Sequence, residues 1–287
     1  MTLRSLLFVP GDRPERMAKA MGLGADALIL DLEDAVAPAA KPAARLAVAE
    51  VLRAHPAPRA CRLFVRVNPL GTAEQAADLA ALAGTAPDGV VLPKAEGAPS
   101  IRAIAEALAA VGVTAPILPV ATETAAAVFQ LGTYGEVADR LAGVTWGAED
   151  LPAAIGATSA READGSFTPV YQTVRTLALL AGHAAGVPAI ETVVPDFRDL
   201  DGLAAYAARA RRDGFSGMMA IHPAQVPVIN AAFTPSPEEL DHARRVVAAF
   251  AAAPGAGALQ LDGRMIDAPH LKAAERLLQR AGEISPP

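Results

Sequence analysis

The chain has 287 residues, 52% of them hydrophobic and 20% charged, with a formal net charge of −6. That length suits one large α/β domain or two smaller ones, and the acidic balance argues against a nucleic-acid partner. No apolar stretch approaches the roughly 20 residues that span a bilayer, and "LLFVP" near the start is too short for a secretion signal, so a cytoplasmic location is expected.

Short apolar or β-branched runs alternate with longer, alanine-rich helical stretches along most of the chain. In order, "SLLFVP" precedes a helix over 14–22, "ALILDLE" one over 40–53, and "RLFVRVN" one over 73–83. "GVVLPK" precedes 99–110, "PILPVATE" precedes 124–131, and "AGVTWGAED" precedes 168–185. "AIETVVP" then leads to 199–212 and "GMMAIHP" to 224–232, which completes eight strand–helix units. Strands alternating with helices of this length imply βαβ crossovers and a parallel sheet. Eight units within about 230 residues fit a closed (β/α)8 TIM barrel over 1–233 better than an open sheet.

Residues 234–287 exceed the eight units and predict a C-terminal helical extension, packing on a neighbouring subunit. "TPSPEEL" reads as a helix start, with Ser236 as N-cap and Glu239 completing a capping box, and the helix should run to about Ala253. "LDGRMIDAPH" reads as an irregular loop before a last helix over about 270–281. The single cysteine, Cys61, excludes an internal disulfide and a cysteine-rich zinc site, and reads as a buried structural thiol. "RARR" at 209–212 falls late in a helix, where cations suit the dipole.

In a barrel of this kind catalytic groups gather at the C-terminal ends of the strands. The polar residues collect there: Asp31, Glu33 and Asp34 after strand 2, Arg66 and Asn68 after strand 3, and Lys94 after strand 4. Glu123 ends strand 5, Glu149 and Asp150 end strand 6, and His222 ends strand 8. Any one of these acids also suits an ordinary helix N-cap, but the full set on one rim is poorly explained that way. Period-two alternation puts Ala121 with Glu123 and Ala148 with Asp150, leaving room beside each carboxylate, and turns Glu149 to the opposite face, where it would brace the loop. Two carboxylates on neighbouring strands would repel unless a cation lay between them, and hard oxygen ligands favour magnesium or manganese.

Seven blocks carry a resemblance: "RSLLFVPGDRPER", "ALILDLEDAVAP", "FVRVNPLGT", "GVVLPKAE", "TWGAEDL", "AIHPAQVPVINAAFTPSPEE" and "LDGRMIDAP". In this order, from residue 4 to about 269, they resemble the citrate lyase beta-subunit-like branch of the HpcH/HpaI aldolase superfamily, which includes malyl-CoA and citramalyl-CoA lyases. The resemblance implies a (β/α)8 barrel, a homotrimer, Mg²⁺ and a coenzyme A thioester. It puts the metal ligands on Glu123 and Asp150, a substrate-binding arginine on Arg66, and an acid/base that reaches a neighbouring subunit's site on Asp267. Glu33 and Asp34 look like outer partners of metal-bound water. One departure is "VATETAAAV", where relatives read closer to "LIETARGV": Thr122 replaces an apolar residue and a following arginine is absent.

The chemistry implied is retro-Claisen cleavage of a 3-hydroxyacyl-CoA, such as malyl-, citramalyl- or citryl-CoA, into a 2-oxo acid or glyoxylate and acetyl-CoA. The cation would chelate the substrate's hydroxyl and carboxylate. Arg66 would hold a carboxylate or enolate oxygen, and Asp267 would move a proton at the enolate carbon. Backbone N–H groups near Ala148 and Glu149 would meet the oxo-acid carboxylate. Arg13, Arg16 and Lys19 fit either the phosphates of coenzyme A or a solvated helix face, and Asp267 fits either the acid/base role or a helix N-cap. Three rivals stay open: a malyl-CoA-type thioesterase, a citrate lyase beta subunit working on an acyl-carrier thioester within a complex, and a Schiff-base enzyme using Lys94. His222 reads as a hydrogen-bonded structural residue rather than a third ligand.

Overall fold

The computed structural model describes residues 3–284, which form two compact units, residues 3–230 and residues 231–284. The first unit contains eight parallel strands: β1 (Ser5–Pro10), β2 (Ala27–Asp31), β3 (Arg62–Arg66), β4 (Gly89–Leu92), β5 (Ile117–Pro119), β6 (Val144–Thr145), β7 (Ala189–Glu191) and β8 (Gly217–Ala220). Their order is β5-β4-β3-β2-β1-β8-β7-β6. Isolated parallel bridges Ile117 to Leu141 and Val120 to Thr145 bring the two edge strands together, so the sheet is a nearly closed barrel. The expected (β/α)8 architecture is what the chain adopts.

Helices follow the strands: α1 (Pro14–Ala20), α2 (Lys41–Ala54), α3 (Ala73–Leu82), α4 (Gly97–Ala110), α5 (Ala125–Gln130), α6 (Asp150–Ile155), α7 (Pro169–Ala184), α8 (Leu200–Asp213) and α9 (Gln225–Phe233). The order follows from chemistry. All five residues of β2, "ALILD", are buried, as expected of a parallel strand covered on both faces. Leu6, Ile29, Phe64, Val91, Leu118, Ile190 and Met219 pack into one cluster, the core inside the barrel. Polar residues open several helices: Thr72 accepts from the N–H of Gln75, Thr124 from that of Ala127, and Asp199 from that of Gly202.

Strand 6 is shorter than its apolar run suggests. Only Val144 and Thr145 pair, and α6 begins at Asp150, so period-two alternation does not reach the acids. Glu149 accordingly does not face away from Asp150; both line the same cavity.

In the second unit α10 (Pro237–Ala252) carries the capping box of Ser236 and Glu239 read from the sequence. The expected loop is instead a hairpin of β9 (Ala258–Leu261) and β10 (Arg264–Asp267). Asp262 and Gly263 have φ of 51° and 77°, the positive values that a two-residue primed turn requires. An Asp-Gly pair between short apolar runs is the signal that the loop reading passed over. A final helix, α11 (Ala268–Arg280), packs Ala274 and Leu278 with Ala243, Val246 and Ile266.

Candidate active site at the barrel mouth

A cavity of about 320 Å³ opens at the C-terminal ends of the strands. Acids dominate its polar side: Asp31, Asp34, Glu123, Glu149 and Asp150, with Arg66 the cation among the lining residues. Phe8, Val120, Val193, Met219 and Ile221 form an apolar wall.

Glu123 follows β5 and is only 5% exposed. One oxygen accepts the backbone N–H of Lys94 at 2.6 Å. To aim that N–H, Lys94 takes a positive φ of 51°, a costly conformation for a residue with a Cβ. A Cβ on Gly147 would lie 2.8 Å from Cγ of Glu123, so only glycine leaves the carboxylate its place. Thr122 ties the two loops together: its hydroxyl accepts the N–H of Gly147 and donates to the same residue's carbonyl, both at 3.1 Å. The residue that departs from the family pattern thus has a structural task between the two metal-ligand candidates.

Burial pushes the Glu123 carboxyl up to about 8, and the negative charge of Asp150 adds to the rise, against the Lys94 N–H bond. Two acids that share a site and resist joint ionisation suit a cation. The neighbouring cations are already engaged. Lys94 Nζ lies 3.0 Å from Glu33 and 3.3 Å from Asp150. Arg66 binds Asp31 through Nε and Nη2, both at 2.7 Å, and its Nη1 is 2.9 Å from Glu33. Its guanidinium also sits 4.8 Å from the centre of the Phe8 ring. Acids therefore outnumber cations, and the oxygen-rich set fits a hard divalent ion. Among the described residues no group of three or more His, Cys, Asp or Glu side chains is placed to hold a metal ion.

Burial works to lower the Lys94 ammonium, but Glu33, Glu123 and Asp150 outweigh it and hold it above its ordinary value. That is the reverse of what a Schiff-base lysine needs. Glu33 is itself pushed up by burial, against Arg66 and Lys94. Burial likewise raises the half-buried Cys61 thiol to about 11, in keeping with an inert structural group.

Ala148 and Asp34 line the cavity, and Glu33 is tied to it through Arg66. Arg13 and Lys19 are not among its lining residues: Arg13 lies 3.6 Å from Asp12, and Lys19 is exposed in the last turn of α1. His222 stacks on Phe197 at 4.6 Å and its Nδ1 accepts the N–H of Ala224, a hydrogen-bonded structural residue as expected. Asp267 belongs to the second unit, where it is the N-cap of α11 with its carboxylate 2.5 Å from Nδ1 of His270.

Glu191, like Glu123, ends an apolar strand run, the one mark it leaves in the sequence. It is fully buried, accepting from the Trp146 indole at 2.5 Å, the Thr192 N–H at 3.0 Å and Arg175 Nε at 2.7 Å. Trp146 immediately precedes the cavity-lining loop 147–150, and Thr192 lines the cavity itself, so Glu191 joins the ends of β6 and β7.

The family model for HpcH/HpaI aldolase/citrate lyase matches residues 4–223. A citrate lyase subunit beta-like protein of Mycobacterium tuberculosis is 46% identical over 280 residues, covering 97% of this chain and 96% of the relative. A (3S)-malyl-CoA thioesterase of Cereibacter sphaeroides is 36% identical over 289 residues, covering 98% and 95%. The crystal structure of CitE from Mycobacterium tuberculosis, in complex with magnesium, acetoacetate and coenzyme A, superposes with a TM-score of 0.82 at 43% identity, covering 98% of this chain and 99% of that one. With a barrel whose mouth gathers these acids and a match running through nearly all of it, the chain belongs to the HpcH/HpaI aldolase/citrate lyase family.

Proposed function

We propose that this protein is a magnesium-dependent carbon–carbon lyase that cleaves, or forms, a 3-hydroxyacyl-CoA whose hydroxyl carbon also bears a carboxylate. Glu123 and Asp150 would hold the ion. The observation that carries this reading is the pair of carboxylates facing one cavity with too few cations to balance them. The magnesium, acetoacetate and coenzyme A bound by the Mycobacterium tuberculosis relative support it. When bound, magnesium supplies Lewis-acid polarisation and a template for the substrate's hydroxy-acid end.

The chain's own residues account for the rest. Arg66, kept charged and oriented by Asp31, presents its remaining N–H donors to a carboxylate or to the developing enolate oxygen. Glu33 and Asp34 add negative charge and hydrogen-bond acceptors at the rim. The N–H groups near Ala148 and Glu149 meet the oxo-acid carboxylate, and the apolar wall excludes water from the enolate. Asp267, from a neighbouring subunit of a homotrimer, donates a proton to the enolate carbon and removes one in the condensation direction, while the substrate's hydroxyl proton passes to water. Arg13 and Lys19 are the proposed contacts of the coenzyme A phosphates.

A second reading is favoured by the relative named (3S)-malyl-CoA thioesterase: water attacks the thioester after or instead of carbon–carbon cleavage. The decisive assay offers malyl-, citramalyl- and citryl-CoA with Mg²⁺ and follows glyoxylate, pyruvate, oxaloacetate, acetyl-CoA and free CoA. Acetyl-CoA with an oxo acid, abolished by EDTA and untouched by borohydride, supports the lyase. Free CoA with the intact hydroxy acid replaces it with the thioesterase.

Because folding raises the Glu123 carboxyl from 4.5 to about 8, the protonated form predominates near neutrality. Mg²⁺ must expel that proton, so calorimetry in buffers of different ionisation enthalpy should show about one proton released per ion near pH 7 and almost none near pH 9.5. Cation affinity therefore rises with pH up to about 8. The stability of the metal-free protein has the opposite sign: the share due to this raised group is complete below 4.5 and is lost as pH climbs through about 8. Separately, Asp267→Asn should fold normally and lose roughly 10²- to 10⁴-fold in kcat. Full turnover in a folded variant would leave Asp267 as a helix cap alone.

A further inference from the structure

Lys41 opens α2 and is only 8% exposed, yet the acceptors around its ammonium are all neutral. Nζ donates to the carbonyl of Leu32 at 2.7 Å, the carbonyl of Glu33 at 2.9 Å and Oδ1 of Asn68 at 2.8 Å. Three donors meet three acceptors, so the group is fully satisfied. Burying an ammonium is costly unless its bonds repay it, and an apolar side chain would fill the same space without that cost. The bonds themselves are what the position requires.

The two carbonyls bracket Glu33. Lys41 holds the peptide planes on both sides of Glu33, while the backbone N–H of Glu33 donates to Asp31 at 2.9 Å. With the backbone tied at three points, the buried side chain is directed one way, with Oε1 3.0 Å from Lys94 Nζ and Oε2 2.9 Å from Arg66 Nη1. Lys94 in turn stands 3.3 Å from Asp150. The clamp has its own anchor: Asn68 donates through Nδ2 and its backbone N–H to Asp78, both at 2.7 Å, and Asp78 accepts from Arg45 at 2.7 Å.

We propose that Lys41 is a positioning residue, which aims Glu33 at Lys94 and Arg66 and thereby sets where Lys94 stands beside Asp150. The catalytic part of this inference rests on the reading of Glu33 as part of the lyase machinery; the geometric part does not.

The test uses the full chain with Lys41→Met, Glu33→Gln and the double variant. Crystals of Lys41→Met should show Glu33 withdrawn from Lys94. Its kcat should fall about 10- to 100-fold with little change in KM, the range found when a partner that orients a site group is removed. Glu33→Gln should lose activity by a similar factor, and the double variant should lose no more than either single one. Glu33 still on Lys94 in crystals of Lys41→Met, or losses that multiply in the double variant, would overturn the inference. Should Lys41→Met not fold, Lys41→Gln, whose amide reaches fewer of the three acceptors, is read by the same measurements. If the wild-type protein cleaves no CoA ester, the lyase reading falls, and the crystals still decide what Lys41 does.

Discussion

Glu123→Ala is expected to lower kcat by about 10²- to 10³-fold, the loss typical of removing one well-placed electrostatic stabiliser. Arg66 and Lys94 are cations, Glu33 is committed to both of them, and Asp150 alone would hold a divalent ion weakly. Calorimetry should show the Mg²⁺ affinity falling in parallel. The alanine also strands the Lys94 N–H that Glu123 accepts, a cost of about 1–3 kcal/mol, so Glu123→Gln belongs beside it. The amide can still accept that bond, and separates loss of charge from loss of packing. Asp150→Ala should behave alike in the assay. A kcat for Glu123→Ala within about threefold of wild type would remove this carboxylate from the mechanism.

Asp31→Ala is expected to cost about 3–5 kcal/mol of stability, the range for breaking a buried ion pair from one side. Asp31 is fully buried and accepts four hydrogen bonds, two from Arg66 and one each from the backbone N–H groups of Glu33 and Ala35. Removing it leaves a largely buried guanidinium facing Glu33 and two turn N–H groups without their acceptor. In a domain of this size that is a fall of roughly 6–20 °C in Tm by scanning calorimetry. Asp31→Asn, which keeps the shape and one acceptor oxygen, should fall by less. A Tm for Asp31→Ala within about 2 °C of wild type would mean that Arg66 finds another partner, and that the paired geometry is not what holds the turn.

The two expectations differ in origin. Asp31 and Glu33 lie two residues apart at the end of one strand, and the sequence reading grouped them as rim acids. Which of them would lock Arg66 from two sides, and which would be shared between Arg66 and Lys94, depended on strands β3 and β4 arriving alongside β2. In the sequence alone Arg66 reads as a free cation awaiting a substrate. The fold gives it two internal carboxylates first.

What could be read along the chain was whatever rests on local periodicity: eight apolar runs with helices between them, the acids at the ends of those runs, the Ser236 capping box, and the blocks of family resemblance. Side-chain periodicity and helix capping are set within a few residues of one another, so they leave a mark in the sequence. Three things were decided only in three dimensions. Glu149 joined Asp150 because strand 6 stops at Thr145 and a helix begins at Asp150, which cancels the alternation. Thr122 became a tie to Gly147, 25 positions on, and Lys41 reached Asn68, 27 positions on, because neighbouring parallel strands bring such distant segments within hydrogen-bond reach. Whether a buried polar side chain is a defect or a fastening depends on the partners it meets, and those partners are set by the packing of distant segments.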